Sequence, residues 1–82
     1  MIKNDQLNNT IKTILCEAVQ QDVDISFSTS LLEAGIIDSL TVLSFVFGLE
    51  EYFNIEIKTD DLEIENIESI EKVARMLTER YL

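Results

Sequence analysis

Residues 35–53, GIIDSLTVLSFVFGLEEYF, decide how this chain is read. Gly35 supplies a tight turn, Asp38 and Ser39 stand where a helix should begin, and the remainder is strongly apolar through Phe53. The Ser39 hydroxyl thus sits at the mouth of a helix, where backbone N–H groups lack intrahelical partners and the dipole favours an anion. Behind it, Leu40, Val42, Leu43, Phe45, Val46, Phe47, Leu49 and Phe53 cover well over half the helix circumference. A surface helix of a small domain carries one apolar stripe, so some of these side chains are expected to face outward.

On the N-terminal side, residues 4–20 are predicted as the first helix. Leu7, Ile11, Ile14, Leu15 and Ala18 recur at three- and four-residue spacings and build one apolar face. Asn4 or Asp5 is the expected cap. Residues 21–30 read as a loop whose Val23, Ile25 and Phe27 tuck under the helices. A short helical turn over residues 30–34 follows, capped by Ser28 or Thr29 and ended by Gly35. The second helix is predicted over residues 39–52.

On the C-terminal side, residues 54–58 alternate polar and apolar side chains. With no second strand pattern to pair with, they read as an extended connection burying Ile55 and Ile57. Thr59, followed by Asp60 and Asp61, offers a cap for a short third helix of a turn or two. Ser69 caps the last helix, residues 70–81, whose face is Ile70, Val73, Ala74, Leu77 and Tyr81, with Arg75 and Arg80 toward its C-terminus. The expected fold is all-α: three main helices plus one short helix, with a long loop between helices 1 and 2.

A chain of 82 residues makes one domain, here residues 1–82. Apolar content of 46% with no proline and two glycines points to a folded, mostly helical protein. No apolar run approaches the roughly 18 residues of a membrane span, and no signal peptide opens the chain. A lone Cys16 excludes an internal disulfide and fits a reducing cytoplasm; its expected role is helix packing. Sixteen acids against six bases give a net charge of −10. No basic residue lies between Lys12 and Lys58, a span holding Glu17, Asp22, Asp24, Glu33, Asp38, Glu50, Glu51 and Glu56. Nucleic acid and anionic membrane are therefore poor partners, because binding them requires Lys and Arg to replace counterions. Basic patches on other proteins are the natural complement.

No residue set looks like an active site. The chain has no histidine, so Ser39 lacks an obvious general base, and an unactivated serine is a weak nucleophile. So small a bundle also leaves little volume for a pocket of several hundred Å³. Asp22, Asp24, Ser26, Ser28, Ser30 and Glu33 fall in the register of an EF-hand calcium loop, but Phe27 stands where that loop turns on glycine, and a polar loop explains them. Neither a catalytic residue nor a metal ligand is expected. Ser39 is instead placed to be acted upon, since a phosphate there would be stabilised by the helix dipole. The plainer alternative makes Asp38 or Ser39 simply the N-cap.

The run Asp38-Ser39-Leu40, preceded by residues 31–37 (LLEAGII) and followed by an apolar helix ending in residues 49–57 (LEEYFNIEI), resembles an acyl or peptidyl carrier protein. The likeness continues through residues 59–62 to Ile67-Glu68-Ser69-Ile70, so it covers nearly the whole chain. It implies a non-catalytic acyl-carrier-like bundle in which Ser39, beside Asp38, bears a 4′-phosphopantetheine arm. A phosphopantetheinyl transferase would add that arm from coenzyme A, supplying the magnesium and the base. The arm's thiol would hold an acyl or aminoacyl group as a thioester. An adenylating or acyl-transferring enzyme would load it, and condensing or tailoring enzymes would use it. The resemblance also places Leu40, Leu43, Ser44 and Phe47 on the partner-facing side, with Ile37 beside the arm, and Phe45, Val46, Leu49 and Phe53 in the core.

Fatty-acid carriers place acids just after D-S-L and again three residues on, where this chain has Thr41 and Ser44, and Phe47 replaces a smaller apolar residue. This greasier, less charged helix is closer to stand-alone carriers resembling peptidyl or D-alanyl carriers, and implies a specialised biosynthetic pathway. Met1 and the short flanks fit a free-standing protein, and a monomer is expected. The rival from another class is a non-catalytic acidic interaction domain that docks through the second helix, with Ser39 only a cap.

Overall fold

A computed structural model describes residues 4–82, with side chains from residue 5 onward. The described residues form four helices, α1 Asn4–Val19, α2 Thr41–Phe53, α3 Ile64–Ile67 and α4 Ile70–Arg80, with a 3₁₀ turn at Thr59–Asp61 and no strand. The all-α expectation of three main helices, one short helix and a long first loop is met. α1 packs on both α2 and α4, and α3 packs on α4.

Each long helix commits one stripe to a shared core. Leu7, Ile11, Ile14 and Leu15 of α1 meet Phe45, Val46 and Leu49 of α2 and Ile70, Val73, Ala74 and Leu77 of α4. Leu15 and Phe45 are wholly enclosed, and each such side chain contributes about 1.5–3 kcal/mol of apolar burial. The expected fourth core residue of α2, Phe53, is half-buried, as is Ala18 of α1. Gly48 sets how closely α2 approaches α1. A Cβ there would stand 2.8 Å from Ile14 Cγ2, closer than carbons can pack.

The long loop is tied to the start of α4 by main-chain bonds. Leu31 N–H donates to the Glu68 carbonyl at 2.7 Å, and Glu71 N–H donates to the Phe27 carbonyl at 3.0 Å. The second of these satisfies a first-turn donor of α4 that has no partner within the helix. Ser69 meets another as predicted, its Oγ accepting from Lys72 N–H at 3.2 Å. Leu31 is fully buried. Around it residues 30–37 wrap into a tight loop, with Ala34 N–H bonded to the Ser30 carbonyl and both Ile36 and Ile37 N–H to the Leu31 carbonyl. Gly35 closes this loop at φ +73°, a conformation that side-chain-bearing residues rarely adopt.

Several predicted boundaries move. The segment 30–34 is a set of turns rather than a helix, and its capping hydroxyl belongs to Ser30, which accepts from Glu33 N–H at 3.3 Å. Ser28 and Thr29 instead share hydrogen bonds with Ser26. Asp5 lies inside the first turn of α1 rather than at its cap, and the side chain of Asn4 is outside the described residues. α1 ends at Val19, one residue early, because Gln20 turns left-handed at φ 57°. The connection after α2 forms no strand, as expected, but Asn54 is left-handed at φ 54° rather than extended; Ile57 is buried, Ile55 half-buried, and Glu50 Oε2 accepts from Ile57 N–H at 2.9 Å. Thr59 caps nothing. The short helix lies further on, at Ile64–Ile67, while residues 59–61 form only a 3₁₀ turn.

The 3₁₀ turn ends on Asp61. Its side chain is buried and committed to α4, accepting from the Arg80 guanidinium and the Tyr81 hydroxyl. Tyr81 Oη in turn accepts from Lys58 N–H at 2.8 Å, and Asn66 Nδ2 donates to the Asp61 carbonyl at 2.9 Å. The Tyr81 hydrogen bond is the main influence holding the Asp61 carboxyl below its ordinary pKa of 3.8, with Arg80 assisting against the opposing effect of burial. Burial, together with Asp61, pushes the Tyr81 hydroxyl up.

Gly48→Ala is expected to destabilise the protein, because overpacking costs about 1–3 kcal/mol against roughly 1 kcal/mol gained in helix propensity. Ile14→Leu, which takes the methyl off Cβ, should recover part of the loss in a double-mutant cycle by urea denaturation. A Gly48→Ala variant more stable than wild type would disprove the close approach. Asp61 gives a pH test. Its depressed pKa means its stabilisation is present above the ordinary carboxylate value and lost as pH falls through the lower folded value. The stability gap between wild type and Asp61→Asn should be full at neutral pH and close only below about pH 3.8. A pH-independent gap would show that the carboxylate charge is immaterial there.

Candidate functional site

α2 begins with its regular ladder at Thr41, two residues later than the predicted start at Ser39. The turn before it explains why. Asp38 Oδ1 accepts from both Leu40 N–H and Thr41 N–H at 2.9 Å, and the Asp38 carbonyl takes Val42 N–H at 3.0 Å. Thr41 Oγ1 answers by accepting Asp38 N–H at 2.8 Å and donating to Asp38 Oδ1 at 3.2 Å. This is a reciprocal capping box in which threonine takes the place of the usual glutamate or glutamine. Asp38, not Ser39, is therefore the cap. Leu40 already has right-handed helical dihedrals, φ −92° and ψ −48°.

Ser39 is left over. Its side chain is exposed, and among the described residues the side-chain bonds of the turn run between Asp38, Leu40 and Thr41 without using its hydroxyl. The alternative reading of Ser39 as a structural cap loses its support. The Asp38 carboxyl is held below the usual carboxylate range, first by Thr41 N–H, then by Leu40 N–H, with burial opposing.

Beside Ser39 runs an exposed apolar stripe. Leu40 is 77% exposed, Leu43 49% and Phe47 63%. Their spacing of three and then four residues stacks them along one side of α2. Ser44 is exposed alongside them. The opposite side, Phe45, Val46 and Leu49, is buried, which accounts for a helix apolar around most of its circumference. Ile37 departs from expectation. It is 2% exposed and part of the core, its N–H bonded to the Leu31 carbonyl, so it does not face a partner. The Gly35 turn sends the chain back inward beside Leu31 before it emerges at Asp38. Thr41 is the residue that sequence reasoning missed. The Asp-x-x-Thr spacing of a capping box was there to be read.

Among the described residues are open grooves of about 360 and 400 Å³, larger than the small bundle led one to expect. Both lie along α4 and share Arg75 and Glu79, the first also lined by Asn8 and Glu71 and the second by Glu65 and Lys72, and neither includes Ser39 or the α2 stripe. The described residues hold no helix long and apolar enough to cross a membrane.

The family model for a phosphopantetheine attachment site matches residues 9–77. Among solved structures, the chain is similar to one in the crystal structure of Bradyrhizobium japonicum glycine:[carrier protein] ligase complexed with glycylated carrier protein. That likeness has 25% sequence identity and a TM-score of 0.75, and it covers 84% of this chain and 95% of the other. The matched chain is thus the shorter of the two, as befits the carrier component. No curated protein matches.

Two measurements check the turn. Ser39→Ala should change stability by no more than about 0.5 kcal/mol, as expected for a surface side chain without partners; a large loss in a thermal melt would make Ser39 structural. An NMR titration of the Asp38 carboxyl carbon should show a midpoint below 3.8. The cap is then at full strength above that value and is lost as pH falls through the depressed midpoint. A midpoint at or above 3.8 would contradict the two N–H bonds.

Proposed function

The chain belongs to the phosphopantetheine attachment-site family, and we propose that Ser39 is the residue through which it bears the family's covalent 4′-phosphopantetheine. Members of this family are carriers, not catalysts. The observation that most supports Ser39 is its exposed hydroxyl, unused by the capping turn and set at the N-terminus of α2 beside an apolar stripe. Attachment forms a bond from Ser39 Oγ to a phosphorus of the coenzyme A pyrophosphate as the bond to the departing 3′,5′-adenosine bisphosphate breaks. The hydroxyl proton leaves to a base of the phosphopantetheinyl transferase, which this histidine-free chain does not supply. The resulting phosphodiester lies where the α2 dipole favours negative charge.

Residues 1–82 then act as one carrier domain. Its thioester cargo is an acyl or aminoacyl group of a specialised biosynthetic pathway, set by a separate adenylating or acyl-transferring enzyme and passed to condensing or tailoring enzymes. The glycylated carrier in the structural neighbour, bound with its ligase, favours an amino acid as cargo and a ligase of that kind as loader. Leu40, Leu43, Ser44 and Phe47 form the docking side of α2, and the base-free span from residue 13 to 57 favours partners with basic surfaces.

Incubation with coenzyme A, magnesium and a broad-specificity phosphopantetheinyl transferase should raise the intact mass by one phosphopantetheine. A folded protein that gains nothing would make the acidic docking domain the better reading. Phe47→Ala should slow loading of the modified protein by its ligase while leaving stability nearly unchanged, whereas Phe45→Ala should cost about 3–5 kcal/mol. A similar loss of stability in both variants would mean that Phe47 belongs to the core.

A further inference from the structure

We propose that Thr41 is a positioning residue for the modification of Ser39, acting through Asp38. The proposal rests on the carrier function above. The Thr41 hydroxyl makes two bonds to the residue directly before the serine, accepting its N–H at 2.8 Å and donating to its carboxylate at 3.2 Å. Those bonds fix both ends of the dipeptide Asp38-Ser39, because Thr41 is itself anchored by its N–H to Asp38 Oδ1 at 2.9 Å. Ser39 is then held inside a closed ring of hydrogen bonds to which its own hydroxyl contributes nothing.

The consequence is mechanical. Ser39 lies between the inward-facing Ile37 and the exposed Leu40. Its side chain makes no bond among the described residues, so its direction is set by the turn around it. The glycine-closed loop anchors one side of this turn through the Ile37 N–H bond to the Leu31 carbonyl. On the other side, among the described residues, the side-chain locks all run through Asp38: its carboxylate takes Leu40 N–H and Thr41 N–H, and the Thr41 hydroxyl alone holds Asp38 N–H. Removing the Thr41 hydroxyl leaves the Asp38 carboxylate bonded to two N–H groups but frees Asp38 N–H, so the serine can swing relative to α2. A nucleophile that must meet a phosphorus in line is sensitive to such freedom, since misplacement by about 1 Å can cost two orders of magnitude in rate.

The test compares wild type, Thr41→Ser and Thr41→Val as substrates of one phosphopantetheinyl transferase. Intact-mass progress curves are taken at several carrier concentrations, well below the melting temperature of each protein. The expected result for Thr41→Val is a fall in kcat of about tenfold or more, with KM little changed and full rescue by Thr41→Ser. An unchanged rate, a loss confined to KM, or failure of serine to rescue would overturn the positioning role while leaving the carrier reading in place. Failure of the wild type to accept the arm would overturn the carrier reading itself, and the positioning role with it. Should Thr41→Val not fold, amide exchange in the wild type decides: Asp38 N–H must exchange markedly more slowly than Ser39 N–H, and equal rates refute the lock.

Discussion

The reciprocal cap between Asp38 and Thr41 is the constraint on which the site depends. A helix N-terminus needs acceptors for its first N–H groups, and here one carboxylate and one hydroxyl meet that need between them. Had Ser39 been the cap, its hydroxyl would be a hydrogen-bond acceptor turned back onto the helix. Because its neighbour takes the task, the serine costs the fold little and is exposed. Under the proposed function, structure and chemistry are divided between adjacent residues.

The second requirement is that the turn be held still relative to α2. The long connection over residues 20–40 would ordinarily wander, but Leu31 and Ile37 sink into the core and the main chain is bonded to the start of α4. The loop and the helix it leads into thus refer to one buried cluster. Close contact of α2 with α1 at Gly48 fixes the inner side of that helix, and its outer side is left for Leu40, Leu43 and Phe47. One helix serves core and surface because its apolar residues encircle it.

Much of this was legible in the sequence, and the failures have specific causes. The stripes of α1 and α4 follow from helical spacing alone, and Ser69 is the cap its position suggested. The outward stripe of α2 followed from having more apolar residues than one face can hold. The start of α2 was misplaced because Asp38 and Ser39 are both good caps, and only geometry tells which oxygen the N–H groups choose. Ile37 was placed beside the arm and among the partner-facing residues by the resemblance alone, and sequence shows a glycine turn but not the direction in which the chain leaves it. Asp61 read as a first-turn acid of the short helix because its partners Arg80 and Tyr81 lie 19 and 20 residues away, beyond the reach of a local pattern. Tyr81 itself read as one more apolar residue of α4, since periodicity does not reveal where a hydroxyl finds its partner.

Under the proposed function one exposed serine, and no other, is freed for modification by the turn that surrounds it. Among the six serines, Ser26, Ser28 and Ser44 are also exposed and act as internal controls. The most direct measurement is fragment-ion mass spectrometry of the wild-type protein after treatment with coenzyme A, magnesium and a phosphopantetheinyl transferase. Every modified fragment is expected to carry its phosphopantetheine on residue 39. Modification at Ser44, or spread over several serines, would contradict it and show that exposure on an acidic helical surface, rather than the Asp38–Thr41 turn, selects the site.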